Sequence, residues 1–113
     1  MKSNEIYIAY VSWKNDGKHR PVLIVKVNKK EVRVFKITTQ YENKSQFIKE
    51  KYYKIQDLVS AGLVKQSYID TGETYTLNSD KIKFKKIGTL GLVDILGLDK
   101  FINRRYKKRY KKE

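Results

Sequence analysis

Cysteine is absent from this chain, so neither a disulfide framework nor a thiolate-held metal can organise it. A cysteine-free sequence suits a reducing compartment. Histidine occurs once, at His19, and the carboxylates are few and scattered, which argues against a protein-held metal centre. The expected chemistry therefore uses no metal and no cofactor. No run approaches the roughly 18 consecutive apolar residues of a membrane span. Met1-Lys2-Ser3-Asn4-Glu5 leads into a strand-like segment rather than an apolar secretory core, and the expected location is cytoplasmic. Acidic residues are the minority, with 12 Asp and Glu against 26 Lys and Arg, a formal net charge of +14. A domain this basic is expected to meet a polyanion, nucleic acid first and an anionic membrane surface second.

What is present fits one modest domain. The 113 residues are enough for a single core and too few for two, and 40% hydrophobic content is enough to fold. Charge is concentrated at the end: Lys100, Arg104, Arg105, Lys107, Lys108, Arg109, Lys111 and Lys112 against Glu113 give +7 over residues 100–113. Residues 1–99 carry the other +7, so the body is basic without its tail. The sequence divides as a domain over 1–103 and a basic tail over 104–113 that continues its last helix.

The apolar pattern is that of strands. Ile6 to Trp13 reads as a largely buried strand, rich in β-formers. A polar loop over 14–20 follows, then Pro21 to Val27, with proline at the strand's first position where it is tolerated. Val32 to Gln40 alternates as a third strand after a turn at Asn28-Lys29-Lys30-Glu31. Residues 41–49 read as loop and Tyr52 to Ile55 as a fourth strand. Gln56 to Ala61 reads as a helical turn or two, stopped by Gly62. Ser67 to Leu77 is strand-like around a Thr71-Gly72 break, and Ile82 to Ile87 is a last short strand. From Thr89, a candidate N-cap, the spacing of Leu92, Val93, Leu96, Phe101, Ile102 and Tyr106 turns helical, although Gly91 and Gly97 weaken it. The fold class expected is mainly β, a small barrel of about six short strands with a short helix after the fourth and a longer C-terminal helix. A barrel is preferred because it removes exposed edges.

Two polar clusters stand at the tips of neighbouring apolar runs. Lys14-Asn15-Asp16-Gly17-Lys18-His19-Arg20-Pro21 precedes Val22-Leu23-Ile24-Val25, and Thr38-Thr39-Gln40 ends the next run. Pro21 biases Arg20 toward extended backbone. If the two strands pair, Arg20 and Thr38 lie side by side, one bringing a fixed charge with a planar fork and the other a hydroxyl donor. That pairing suits a phosphodiester. Either residue alone has an ordinary reading, a surface arginine at a strand end or a threonine in a strand that favours it.

Gly17 to Val25 followed by Ile37-Thr38-Thr39-Gln40 resembles the MazF/PemK family of toxin endoribonucleases. Ala61-Gly62-Leu63 and Ser67-Tyr68-Ile69, within Asp57 to Leu77, resemble its PemK-like members. The similarity covers roughly residues 5–103. It implies an SH3-like barrel, a homodimer, and metal-independent cleavage of single-stranded RNA, often mRNA, at a short preferred sequence. It also implies inhibition by a cognate antitoxin protein whose acidic flexible segment covers the RNA groove. The resemblance gives Arg20 and Thr38 the catalytic roles.

The chemistry is compatible with these residues. RNA carries its own nucleophile, the 2′-OH, so a protein need only align it, stabilise the added charge and manage protons. A guanidinium is a poor proton donor at neutral pH, so charge stabilisation is the role expected of Arg20. Some family members place a glutamate in the first loop, where this chain has Asn15 and Asp16. Asp16 and His19 are the candidate assistants. Imidazole titrates near neutrality, but adjacent residues of a strand point opposite ways, so His19 faces away if Arg20 faces the groove. Trp13, Lys14, Lys18, Thr39, Gln40, Tyr41 and Lys44 are the candidate RNA-binding residues. Trp13 and Tyr10 also read as core, and Tyr41 and Phe47 as loop aromatics. The rival function is a non-catalytic nucleic-acid-binding module, SH3-like or Sm-like, using the same charge without chemistry.

Overall fold

The computed structural model describes residues 1–13 and 16–110, and for residues 12, 13, 16 and 106–110 the backbone alone. Alternation sets the first hairpin. In β1 (Glu5–Trp13), Tyr7, Ala9 and Val11 share one face while Ile6, Ile8 and Tyr10 share the other. β2 (Asp16–Asn28) pairs with it antiparallel, from Ile6 opposite Leu23 to Trp13 opposite Asp16 without a break. Residues 16–20 were expected in a loop and instead belong to this strand. Polar side chains do not prevent it, because the ladder satisfies the backbone and Lys18 and His19 project into solvent.

Asn28 opposite Glu31 closes the next hairpin, with Lys29 at a left-handed φ of 57°. β3 (Glu31–Thr38) ends two residues earlier than its sequence suggested. It pairs on its other side with β5 (Tyr68–Asn78), where the Thr71-Gly72 break is a bulge. Lys36 opposes Asp70 and Val34 opposes Tyr75, leaving residues 71–74 outside the ladder. β4 (Tyr52–Lys54) pairs with β5, and β6 (Lys85–Thr89) pairs with β1. Strand order is β4-β5-β3-β2-β1-β6.

The mainly β class, the six strands and the long C-terminal helix are as the sequence indicated. Among the described residues the sheet does not close, since β4 and β6 are its two edges. α2 (Leu58–Ala61), capped by Asp57, follows β4 and packs on β6. Gly62 ends it at φ 74°, where any Cβ would collide with the Ile87 carbonyl. The segment read as loop before β4 contains one helical turn, α1 (Gln46–Lys49), whose Ile48 amide donates to Ser45 Oγ at 3.3 Å. α3 spans Leu92–Tyr110; its first intrahelical acceptor is the Gly91 carbonyl, while Thr89, the expected cap, lies in β6.

Each sheet face carries an apolar cluster. Ile6, Leu23, Phe35, Ile37, Tyr53 and Ile69 pack beneath α3 against Leu98, Phe101 and Ile102. Ala9, Val11, Val22, Ile24, Val32, Val34 and Leu77 lie on the opposite face, flanked by Tyr7, Tyr75, Ile82 and Phe84. Leu92, Val93 and Leu96, whose spacing indicated the helix, are exposed, because the helix turns Asp94, Ile95 and Leu98 inward. Tyr10, expected in the core, is exposed.

The β1–β6 edge is held partly by charge. Lys86 Nζ donates to Glu5 Oε2 at 2.8 Å, and the Lys2 amide and Tyr7 hydroxyl donate to Oε1. The bond from Lys86 leads in lowering the Glu5 carboxyl from 4.5 to about 2. Because the folded value is the depressed one, this stabilisation is present above about pH 4.5 and lost as pH falls toward 2. Glu5→Gln is expected to flatten the decline of the thermal midpoint across that window. Parallel declines in variant and parent would show that Glu5 is not the group responsible.

Candidate nucleic-acid interface

Strand alternation and register assemble the site. Arg20 pairs with Ala9 and shares the face of Val22 and Ile24. On β3 that face carries Val32, Val34, Lys36 and Thr38, since Phe35 and Ile37 belong to the opposite cluster. The β2–β3 ladder sets Leu23 against Phe35 and Val22 against Lys36. Carried two residues further, the same register sets Arg20 against Thr38. Thr38 then opposes Tyr68, and Tyr68 opposes Lys54. The neighbouring row runs from Tyr52 through Asp70 and Lys36 to Val22. Arg20, Thr38, Lys36, Tyr68, Asp70 and Tyr52 therefore share one face.

Electrostatics links the ends of these rows. Burial raises the Tyr52 hydroxyl above its ordinary value, the Asp70 carboxylate adds to the rise, and Arg20 opposes it. The guanidinium is thus within electrostatic reach of β4, across β3 and β5. Thr38 Oγ1 accepts from the Gln40 amide at 3.1 Å, which orients its hydroxyl while leaving the proton to donate.

The other candidates divide. His19 lies on the opposite face of β2 from Arg20, where its ring meets Tyr10 edge-on at 5.3 Å. Its assignment as an assistant to Arg20 is corrected by that placement: no bulge interrupts the alternation between residues 19 and 20. Lys18 is exposed on Arg20's face, opposite Val11. Thr39 and Gln40 are exposed just beyond β3. Lys44 is half-buried in the turn its amide makes to the Tyr41 carbonyl at 3.0 Å. Lys14 and the side chains of Trp13 and Asp16 lie outside the described residues.

Tyr41 stacks on Tyr68 with centroids 4.3 Å apart and planes 8° apart, and Tyr52 lies 6.3 Å and 6.5 Å from the two. Lys49 Nζ sits 4.9 Å from the Tyr41 ring centre, Lys36 Nζ 5.0 Å from that of Tyr75, and Lys51 Nζ 4.0 Å from that of Phe47. Tyr52, Tyr68, Lys36 and Asp70 are not among the site residues expected from the sequence. Their signal is an apolar residue between polar neighbours, Ile37 between Lys36 and Thr38 and Ile69 between Tyr68 and Asp70. Among the described residues, no group of three or more His, Asp or Glu is placed to hold a metal ion. None of the described helices is long and apolar enough to cross a membrane.

The basic end of α3 is tied to this region. Arg105 donates to Thr71 Oγ1 at 2.6 Å, and Thr71 Oγ1 donates to the Lys51 carbonyl at 2.6 Å. Thr71 follows Asp70, and Lys51 precedes Tyr52, so the helix end meets the edge of the tyrosine face. Removing residues 106–113 keeps Arg105 while deleting five cations. This truncation is expected to weaken single-stranded RNA binding and reduce the log–log salt slope by about 0.7 for each phosphate the tail no longer neutralises. An unchanged slope would remove the tail from the binding surface. A groove of about 400 Å³ on the α3 side, lined by Val25, Phe35, Ile95, Leu96 and Ile102 among others, is apolar and lies away from Arg20.

A comparison with protein-family models finds no match to this chain, and one with curated proteins finds no significant match.

Proposed function

We propose that this protein is a toxin-type endoribonuclease of the MazF/PemK kind, cutting single-stranded RNA without a metal. The observation that carries the reading is the common face and row of Arg20 and Thr38 on adjacent antiparallel strands. In the reaction, the RNA 2′-oxygen attacks the adjacent phosphorus, the bond to the 5′-oxygen breaks, and a 2′,3′-cyclic phosphate forms. Arg20 binds the non-bridging oxygens as negative charge grows, and Thr38 donates to the same phosphate. The 2′-hydroxyl proton needs an acceptor, and Asp70 is a carboxylate that shares the face and acts on Tyr52 together with Arg20. The 5′-oxygen leaves with a proton from water.

On this reading the protein works in the cytoplasm as a homodimer. A cognate antitoxin neutralises it by laying an acidic flexible segment over the Arg20, Lys36 and Lys49 face. The test is incubation of the intact protein with a long RNA in the presence of a chelator. Discrete fragments ending in cyclic phosphate are expected. Tight binding with no fragments would replace this reading with the non-catalytic module.

A further inference from the structure

We infer that Tyr41, Tyr52 and Tyr68 form a base-stacking subsite for single-stranded RNA, adjoining the phosphate position at Arg20 and Thr38. The inference rests on the RNA-binding reading above but not on cleavage. Tyr68 opposes Thr38 directly, and Tyr52 lies one strand further on. With strands about 4.8 Å apart, three steps from β2 to β4 span roughly 14 Å, room for the nucleotides flanking one phosphate.

The cluster differs in its bonding from three other tyrosines. The hydroxyls of Tyr7, Tyr53 and Tyr75 donate to Glu5, Asp94 and Glu73. Among the described residues, the hydroxyls of Tyr41, Tyr52 and Tyr68 make no hydrogen bond, and all three rings are half-buried. They rest on one another rather than on the apolar cluster of that face, which lies toward Val32, Val34 and Leu77. Cations border them: Lys49 over Tyr41, Lys36 beside Asp70, and Arg20 in reach of Tyr52. Aromatic rings bordered by cations bind single strands by stacking bases while the charges take the phosphates, and they tolerate any base because each has a π-face.

The probe is a short fluorescent 2′-O-methyl oligoribonucleotide, which lacks the nucleophile and stays intact, beside an abasic oligomer with the same phosphates. The parent is expected to bind the base-bearing strand about tenfold more tightly than the abasic one. Tyr52→Leu and Tyr68→Leu should remove most of that difference and leave abasic binding unchanged. Tyr52→Phe and Tyr68→Phe, which keep the ring, should retain it. Equal binding of both oligomers by the parent would overturn the subsite whatever the variants do. So would folded leucine variants that keep the full preference. Failure of the nuclease reading looks different: the parent prefers the base-bearing strand yet leaves unmodified RNA uncut.

Discussion

Arg20→Ala is expected to lower the rate of RNA cleavage by about 10²–10³, the usual cost of removing a preorganised group that stabilises transition-state charge. The fold should persist. Arg20 pairs with Ala9 through its backbone, and the ladder on both sides of it is independent of the side chain. Far-ultraviolet circular dichroism and the thermal midpoint should stay close to the parent's. Arg20→Lys keeps the charge but loses the planar fork, so its rate should fall between the two. An Arg20→Ala protein that cuts at the parental rate, with chelator present, would falsify the mechanism.

The neighbouring variants grade the same idea. Thr38→Val preserves shape and β-propensity, and the Gln40 amide it releases is exposed and can turn to water. Its expected loss, about tenfold, reports the hydroxyl's hydrogen bond to the phosphate. Asp70→Asn should cost about 10², as loss of a general base does. If Arg20, Thr38 and Asp70 act on one phosphate, the triple variant should be scarcely slower than the worst single variant. Losses that simply multiply would show that the three contribute independently.

The strand content and the Arg20–Thr38 pairing were legible because both depend on local pattern. Ile6 to Trp13 is an apolar run of β-formers, the segment from Val32 alternates, and a hairpin joining β2 to β3 allows only a few registers. The polar stretch at 16–20 misled because polarity predicts exposure, and an exposed strand end is as polar as a loop. His19 was correctly placed opposite Arg20 by alternation alone. Tyr52, Tyr68 and Asp70 were illegible for a different reason. Which side of β4 and β5 joins the face of Arg20 depends on strand order, and β5 inserts beside β3 only through long-range pairing that local periodicity does not encode. Gly97 also misled: it weakens a helix by propensity, yet it suits α3 because a Cβ there would press on the Tyr53 hydroxyl and make it shift.

That hydroxyl leads to the largest expected loss of stability. Asp94 is fully buried in the first turn of α3, where its carboxylate accepts three bonds of 2.8 Å, from Tyr53 Oη, the Gln56 amide and the Asp57 amide. Burial, then this bond to Asp94, pushes the Tyr53 phenol well above its ordinary range. The three bonds fasten α3 to β4 and to the start of α2, whose cap Asp57 in turn binds Ser60. Asp94→Ala leaves three donors without their acceptor, each costing roughly 1–3 kcal/mol where water cannot enter. The sum, about 3 kcal/mol or more, is a large part of an ordinary domain's stability and should lower the thermal midpoint by roughly 10–20 °C. Tyr53→Phe deletes one donor together with its need and should cost about 1 kcal/mol. Gly97→Ala, which displaces the hydroxyl but keeps it, should cost more than Tyr53→Phe. An Asp94→Ala protein melting with the parent would show that water replaces the carboxylate and that α3 is held by its apolar contacts alone. Because Asp94 lies on the α3 side of the sheet, its variants should lower stability and leave the cleavage rate of the folded fraction unchanged. Arg20→Ala should do the reverse, and that separation distinguishes a catalytic face from a structural one on a single small sheet.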